Sequence, residues 1–399
     1  MLFFDFLYSL QNIEKTRNFN VFKNYSLDGL SDLFLFLKSK HKIQNPIRIS
    51  VVGTNGKGST SHYLASLLSI LGYKTGLYTS PHLLTPLERF QIFLGGKPEV
   101  PKEEDVESFF KNTILPDLER YQSLSYFEFL TVFTYLYFAK ENTDFEIWEA
   151  GLGGRLDSTK LVYADHVILT KIGLDHSEIL GATKEKICLE KLKILTDVCR
   201  NLIAMDPEDD SLRTLIQNFP KGKTKTQVLP LEKKPTYLET NFLFSQAALI
   251  HLIPNETTKL SSISFASVKK PRGRMEVLQN SPEIVFDPAH NPDAIATTTR
   301  EFAKTHPSFS LLLGSLPDKD REGILSQLVG LPLHSLILWE GSGFGAFPEL
   351  PQGLTSITTK VQAEEDLRPL FQGRFPVLVL GSFRLYGIVA KLIQNTTNM

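Results

Sequence analysis

Cysteine is almost missing from this sequence: Cys188 and Cys199 are the two in 399 residues. Two thiols exclude a disulfide framework and a four-thiolate zinc site, and their spacing is not that of a C-x-x-C redox pair. A reducing, cytoplasmic setting is the expectation. Net charge is missing too, since 43 Lys and Arg against 44 Asp and Glu leave a formal charge of −1. A general nucleic-acid binder, which needs a positive field, is therefore not expected. Nor is there a long apolar run. The longest, 125–139, falls short of the roughly 20 residues of a membrane span and carries Glu128, so no membrane partner is expected. The opening MLFFDFLYSL has no basic residue and is broken by Asp5, which makes it a poor signal peptide. No internal repeat or low-complexity tract is found. Hydrophobic residues at 42% and charged residues at 22% describe an ordinary globular chain, long enough for two domains or three.

Short apolar runs alternate with helical patterns, the signature of an α/β fold with a mostly parallel sheet. Strands are expected at Ile47–Val52, Lys74–Thr79, Phe145–Ala150 and His166–Thr170, and helices at Ser59–Leu71, Tyr126–Lys140 and Thr183–Leu195, the last capped by Thr183. Ser80–Leu94, with two prolines, reads as an irregular loop, and the basic stretch 220–236 as a solvated one. A second series begins near Arg272: strands at Glu283–Phe286, Phe309–Leu313 and Val377–Leu380, with helices at Asn291–Lys304, Asp320–Leu328 and Phe383–Gln394. The expected domains are 1–272 and 273–399.

Gly53-Thr54-Asn55-Gly56-Lys57-Gly58-Ser59-Thr60 follows an apolar strand and opens a helix, the context a phosphate loop requires. Glycines let backbone N–H groups converge on phosphate oxygens, the helix start adds partial positive charge, and Lys57 supplies a mobile cation. The segment departs from the strict Walker spacing: two residues rather than four separate Gly53 from the Gly-Lys pair, and Gly58 follows the lysine. No N-K-x-D segment is present, which argues against a regulatory GTPase.

Glu149 closes a predicted strand and precedes the glycine-rich Gly151–Gly154. Ligands of open parallel sheets bind at such strand ends, and Mg²⁺ prefers hard oxygen donors. Read alone, Glu149 is equally a capping or surface carboxylate. His176, after the next strand, is either a second metal ligand or a hydrogen-bonded core histidine, the second being the commoner case. Ser80 offers a hydroxyl at another strand end, where Ser-Pro is also ordinary turn chemistry. Lys191 reads as a solvated lysine or as one carbamylated beside a metal.

Taken together, VVGTNGKGST (51–60), YTSPHL (78–83), SYFEFLT (125–131), EAGLGGRLDST (149–159), GLDHSEILG (173–181), EKLKIL (190–195), RGRME (272–276) and FDPAHNP (286–292) resemble the folylpolyglutamate synthase and dihydrofolate synthase family of the Mur ligase superfamily. The resemblance runs from about residue 26 to about residue 387. It implies an N-terminal P-loop ATPase domain and a smaller C-terminal Rossmann-like domain with the active site between them, in a monomer. The implied activity is ATP-dependent joining of L-glutamate to dihydropteroate, to reduced folates, or to both. By position, Asn55, Gly56, Lys57, Gly58 and Ser59 match the ATP loop. Ser80, Glu149 and His176 match magnesium ligands, and Lys191 matches a carbamylated lysine beside a second Mg²⁺. Gln246, Arg274 and Asp287 match nucleotide contacts. Leu27, Asp28, Gly29, Leu30, Ser125, Leu156, Asp157 and Ser158 match the pterin-site segments. Lys57, His176 and Lys191 are the residues expected to act in catalysis. The chain departs from the family pattern in reading Gln246-Ala247-Ala248 for Asn-Ala-Ala, Arg272-Gly273-Arg274 for Pro-Gly-Arg, and Glu190-Lys191-Leu192-Lys193 for Glu-Lys-Ala-Gly.

An amine does not displace the oxygen of a free carboxylate, so the expected route is an acyl phosphate made with ATP and then opened by the amine of glutamate. The rivals are a single-activity folylpolyglutamate synthase, another Mur-type amino-acid ligase, and a non-catalytic nucleotide-binding scaffold.

Overall fold

The computed structural model describes residues 1–16, 25–41, 43–220, 222–232 and 234–397. Fourteen strands among them are β1 Ile47–Val52, β2 Thr75–Tyr78, β3 Phe90–Leu94, β4 Lys97–Glu99, β5 Phe145–Glu149, β6 His166–Leu169, β7 Asn201–Met205, β8 Lys225–Leu229, β9 Glu276–Asn280, β10 Glu283–Phe286, β11 Phe309–Leu313, β12 Leu333–Trp339, β13 Thr358–Val361 and β14 Val377–Leu380. They form one sheet in the order β4-β3-β2-β5-β1-β6-β7-β8 and another in the order β13-β12-β11-β14-β10-β9. Pairing is parallel except for β2/β3, β3/β4 and β9/β10. This is the expected α/β architecture with mostly parallel sheets.

Residue contacts divide the chain into two units. One comprises Met1–Ile172, Ser177–Glu232 and Asn241–Lys269; the other comprises Gly173–His176, Lys233–Thr240 and Lys270–Met399. In the first unit, side chains one residue apart in a strand enter different cores. Ile49, Val51, Ile147 and Ile168 pack with the helices Lys57–Ile70 and Tyr237–Leu252, whereas Val52, Val167 and Leu169 pack with Cys188, Leu192 and Leu212. A sheet covered on both faces needs such continuous apolar strands. The helix Tyr126–Glu141 is buried nearly all round, which explains why its run was the most apolar of the chain. The opening residues form the helix Phe3–Ser9, whose Phe3, Phe6 and Leu7 join the same core. No helix among the described residues is long and apolar enough to cross a membrane.

Two expectations are corrected. Ser80–Leu94 is not irregular throughout: Pro86–Arg89 is a 3₁₀ turn, and Phe90–Leu94 is β3, turned back by Gly95 and Gly96 onto β4. The stretch 220–236 contains β8, an edge strand with alternating exposure. Edge strands tolerate polar, basic composition because one side faces solvent, so β8 carried little hydrophobic signal.

Candidate active site

Sheet order brings three loops to neighbouring strand ends. β5 lies between β2 and β1, with Tyr78 paired to Trp148 and Val51 to Glu149. Chain leaving the carboxyl ends of β2, β5 and β1 carries Ser80, Glu149 and the Gly53–Gly56 turn respectively. Glu149 is buried, and one of its carboxylate oxygens accepts the Ser80 backbone N–H at 3.2 Å.

The Gly53–Gly56 turn needs its glycines. Gly53 has φ +151°, and a Cβ there would lie 1.9 Å from Thr170 Oγ1. Gly56 has φ +90° and caps the helix that starts at Lys57. Thr54 N–H donates to the Lys171 carbonyl at 2.8 Å, and Lys57 Nζ reaches the Thr54 carbonyl at 3.4 Å. The first N–H groups of a helix have no partner within it, so Lys57, Gly58 and Ser59 present donors beside a mobile cation. On the same turn, the buried Thr60 Oγ1 has no hydrogen-bond partner among the described residues. This turn of backbone donors beside a lysine fits a polyphosphate. Glu149 and Ser80 carry oxygen atoms of the kind a magnesium-type ion takes.

Lys191 lies in the last turn of the helix Lys184–Leu192, capped by Thr183 as expected, and is 5% exposed. The loop after β5 lies hard against this helix: a Cβ at Gly154 would be 2.4 Å from the Lys191 carbonyl oxygen and 2.8 Å from that of Glu190. Asp157 folds that loop, accepting N–H from Leu152 at 2.8 Å and from Thr159 at 3.0 Å, and the Thr159 hydroxyl at 2.6 Å. Burial pushes the Asp157 carboxyl above its ordinary pKa, against these hydrogen bonds.

Of the residues expected at a pterin site, Leu27, Asp28 and Leu156 line one pocket of about 350 Å³ together with Tyr25 and Arg155. Ser158 Oγ is 2.7 Å from Thr131 Oγ1. Tyr25 donates its hydroxyl to Glu128 at 2.5 Å, tying the Tyr25–Asp28 segment to the helix Tyr126–Glu141. Leu30 is core and Gly29 is exposed. Ser125 caps that helix, and it lines a different pocket, of about 430 Å³.

Gln246 Nε2 donates to the Leu260 carbonyl at 2.6 Å and the Ile263 carbonyl at 2.9 Å. A residue the sequence reading missed lies five positions earlier: Asn241, 7% exposed, whose Oδ1 would be 3.1 Å from a Cβ on Gly56. An asparagine one turn inside an otherwise apolar helix was the available signal.

In the second unit, His176 has φ +51°, and Lys319 Nζ is 3.3 Å from its Nε2. Asp175 accepts Lys319 Nζ at 2.7 Å, and His290 Nε2 is 3.3 Å from its other oxygen. Burial would raise the Asp175 pKa, but the His290 hydrogen bond and the charges of His290, His176 and Lys319 hold it well below the usual carboxylate range. Asp287 is buried and accepts N–H from Ala289 at 3.0 Å and Met275 at 3.1 Å, as well as the Tyr237 hydroxyl. Burial raises its pKa, with Arg274 opposing. The Arg274 guanidinium stands 5.0 Å from the centre of the Phe383 ring.

Residues 51–266 match the Mur ligase middle domain. The chain is 32% identical over 389 residues to the dihydrofolate synthase/folylpolyglutamate synthase of Escherichia coli strain K12, covering 88% of this chain and 87% of that one. Its fold is similar to that of E. coli FolC in complex with DHPP and ADP, with TM-score 0.73, 27% identity and 94% of each chain covered. It is also similar to the bifunctional folylpolyglutamate synthase/dihydrofolate synthase of Yersinia pestis complexed with AMPPNP and Mn ion, with TM-score 0.75, 25% identity and 94% of each chain covered.

Proposed function

The chain belongs to the dihydrofolate synthase/folylpolyglutamate synthase family of Mur ligases, and from that premise we propose that it is an ATP-dependent ligase joining L-glutamate to dihydropteroate and to the γ-glutamyl end of reduced folates. The observation that carries the reading is the glycine-built phosphate cradle one strand away from the buried Glu149. A relative in this family has been solved with DHPP and ADP, and another with AMPPNP and Mn ion, which supports ATP with a divalent metal, Mg²⁺ in this proposal.

The acceptor carboxylate takes the γ-phosphoryl group of ATP, leaving ADP and an acyl phosphate. The amine of glutamate then forms the amide bond and phosphate departs. The metal, when bound, neutralises phosphate charge. Lys57 and the N–H groups of Gly56, Gly58 and Ser59, with Asn55 in the same turn, hold the triphosphate and follow the charge that moves onto the transferring group. Ser80, Glu149 and His176 are proposed as metal ligands, and Lys191, once carbamylated, as a further ligand on the acceptor side. Arg274, Asp287 and Asn241 are proposed to contact the nucleotide. Asn241 takes the role first expected of Gln246, whose amide nitrogen is engaged by two backbone carbonyls. The pocket beside Tyr25 and Leu156 is proposed to hold the pteridine, with Asp157 and Ser158 keeping its wall in place.

The test is a pair of incubations with ATP, Mg²⁺ and L-glutamate, one with dihydropteroate and one with tetrahydrofolate, read by mass spectrometry for an added glutamyl unit and by ADP release. Product in both is expected. Product with folate alone would mark a single-activity enzyme; no product and no acceptor-stimulated ADP would remove the ligase reading. Lys57→Ala should lower turnover about a hundredfold or more, the usual loss when a transition-state charge donor is removed, with the melting temperature unchanged. Lys191→Ala should lose activity and regain part of it with short carboxylic acids. Full activity without them would argue against carbamylation.

A further inference from the structure

Tyr237 has no task in that mechanism, yet it is tied to one of the residues that do. Asp287 follows β10 at the carboxyl end of the strand, where ligands of such sheets bind, and is 2% exposed. Its backbone N–H donates to the Val379 carbonyl at 3.0 Å, which fixes its main chain to β14. The Ala289 N–H meets carboxylate oxygen Oδ1 at 3.0 Å, the Met275 N–H meets Oδ2 at 3.1 Å, and the Tyr237 hydroxyl meets the same Oδ2. Tyr237 is held at its other end as well, since its backbone N–H donates to Glu301 at 2.9 Å. All of these residues belong to the second unit.

An ionised carboxylate offers about four acceptor positions, two on each oxygen. Met275 and Tyr237 fill those of Oδ2. Among the described residues Oδ1 has one donor, Ala289, so its second position is the one left for a ligand. A carboxylate has no proton to donate and repels phosphate, so the ligand atom that fits there is a hydroxyl or an amine. Burial works against the charge this contact needs; the charge of Arg274 opposes it, and the Tyr237 hydroxyl opposes it next.

We infer that Tyr237 is a positioning residue for nucleotide binding: by occupying Oδ2 it leaves Oδ1 of Asp287 as the oxygen that receives a hydroxyl or amine of the nucleotide. This rests on the ligase reading above, in which Asp287 contacts the nucleotide. Without the Tyr237 hydroxyl, both oxygens have an open position and the carboxylate is less restrained in turning.

The experiment measures the Kd of MgADP by calorimetry, and kcat at saturating ATP, in the wild type, Tyr237→Phe, Asp287→Ala and the double variant, with Asp287→Asn as a second background should the alanine variant not fold. Tyr237→Phe keeps the ring and should raise the Kd about fivefold, the effect of one hydrogen bond acting through another group, while kcat stays near wild type. In the background lacking the Asp287 carboxylate, the same change should alter the Kd less than twofold. A structural role for Tyr237 would instead give its full loss in both backgrounds. The loss should also disappear with 2′,3′-dideoxy-ADP if the donor is a hydroxyl, or with inosine diphosphate if it is the base amine. Overturning results are a Kd that is unchanged or tighter in Tyr237→Phe, an equal loss with Asp287 replaced, or a loss that persists with both analogues. A wild type that binds MgADP but adds glutamate to neither acceptor would remove the ligase reading, while the Kd values still decide the role of Tyr237.

Discussion

Asn241 and Gln246 are both amides on the helix Tyr237–Leu252, yet one lies against the phosphate turn and the other ties down the chain that follows. Their removal should separate two kinds of loss. Asn241→Ala should raise the KM for ATP about tenfold, the worth of roughly 1.4 kcal/mol of binding, with little change in melting temperature. Gln246→Ala should leave the KM for ATP alone and lower stability by about 1–3 kcal/mol, because the carbonyls of Leu260 and Ile263 lose their donor; urea unfolding reads the difference. The sequence pattern named the amide next to the alanines, and only the direction of each side chain tells which one meets the glycine loop.

At the scale of elements, glycine decides how closely two pieces approach. Gly154 lets the loop after β5 rest on the carbonyls of Glu190 and Lys191, and no side chain fits at that distance. Gly154→Ala should push the loop off the helix, costing about 1–3 kcal/mol by overpacking and lowering turnover further than the loss of stability explains, since the loop bears Leu156 and Asp157. A wild-type kcat in a folded Gly154→Ala protein would deny the loop a place in the reaction. Helix starts were easier to read. Thr183 caps its helix from the sequence outward, and Asn291 and Asp320 cap theirs, because a cap is a local bond between a side chain and an N–H three residues on. β3 and β8 were missed because an edge or hairpin strand needs little apolar signal when its neighbour supplies the hydrogen bonds.

For the whole molecule, two sheets with separate cores predict that calorimetric unfolding departs from a single two-state transition. MgATP should raise the transition of the unit bearing the phosphate loop; one two-state peak at every ATP concentration would contradict this. That same unit buries His62 and His166. Burial, with the charge of Lys269 adding for His62 and that of Arg200 for His166, pushes both down to about 4. A histidine kept neutral in the fold takes up its proton on unfolding between its folded pKa of about 4 and the free value near 6.5. Its contribution is therefore present in full above about pH 6.5 and lost as pH falls toward 4, at up to about 1.4 kcal/mol per pH unit for each group. Urea unfolding between pH 7 and pH 5 should show stability falling with pH, and His62→Asn should flatten the slope.

The sequence by itself determined the alternating α/β plan, the strand–glycine–helix phosphate loop, the carboxylate ending β5 and the family, because each depends on neighbours within a few positions or on a run of motifs in order. Tertiary structure decided what depends on contacts between distant segments. It seated Asn241 rather than Gln246 against Gly56. It divided Leu27 and Asp28 from Ser125 into separate pockets and drew Tyr25 onto Glu128. It brought Arg155 and Lys193 to the two oxygens of Glu190. Side-chain direction and strand order place these groups, and neither is written in the spacing of residues along a single segment.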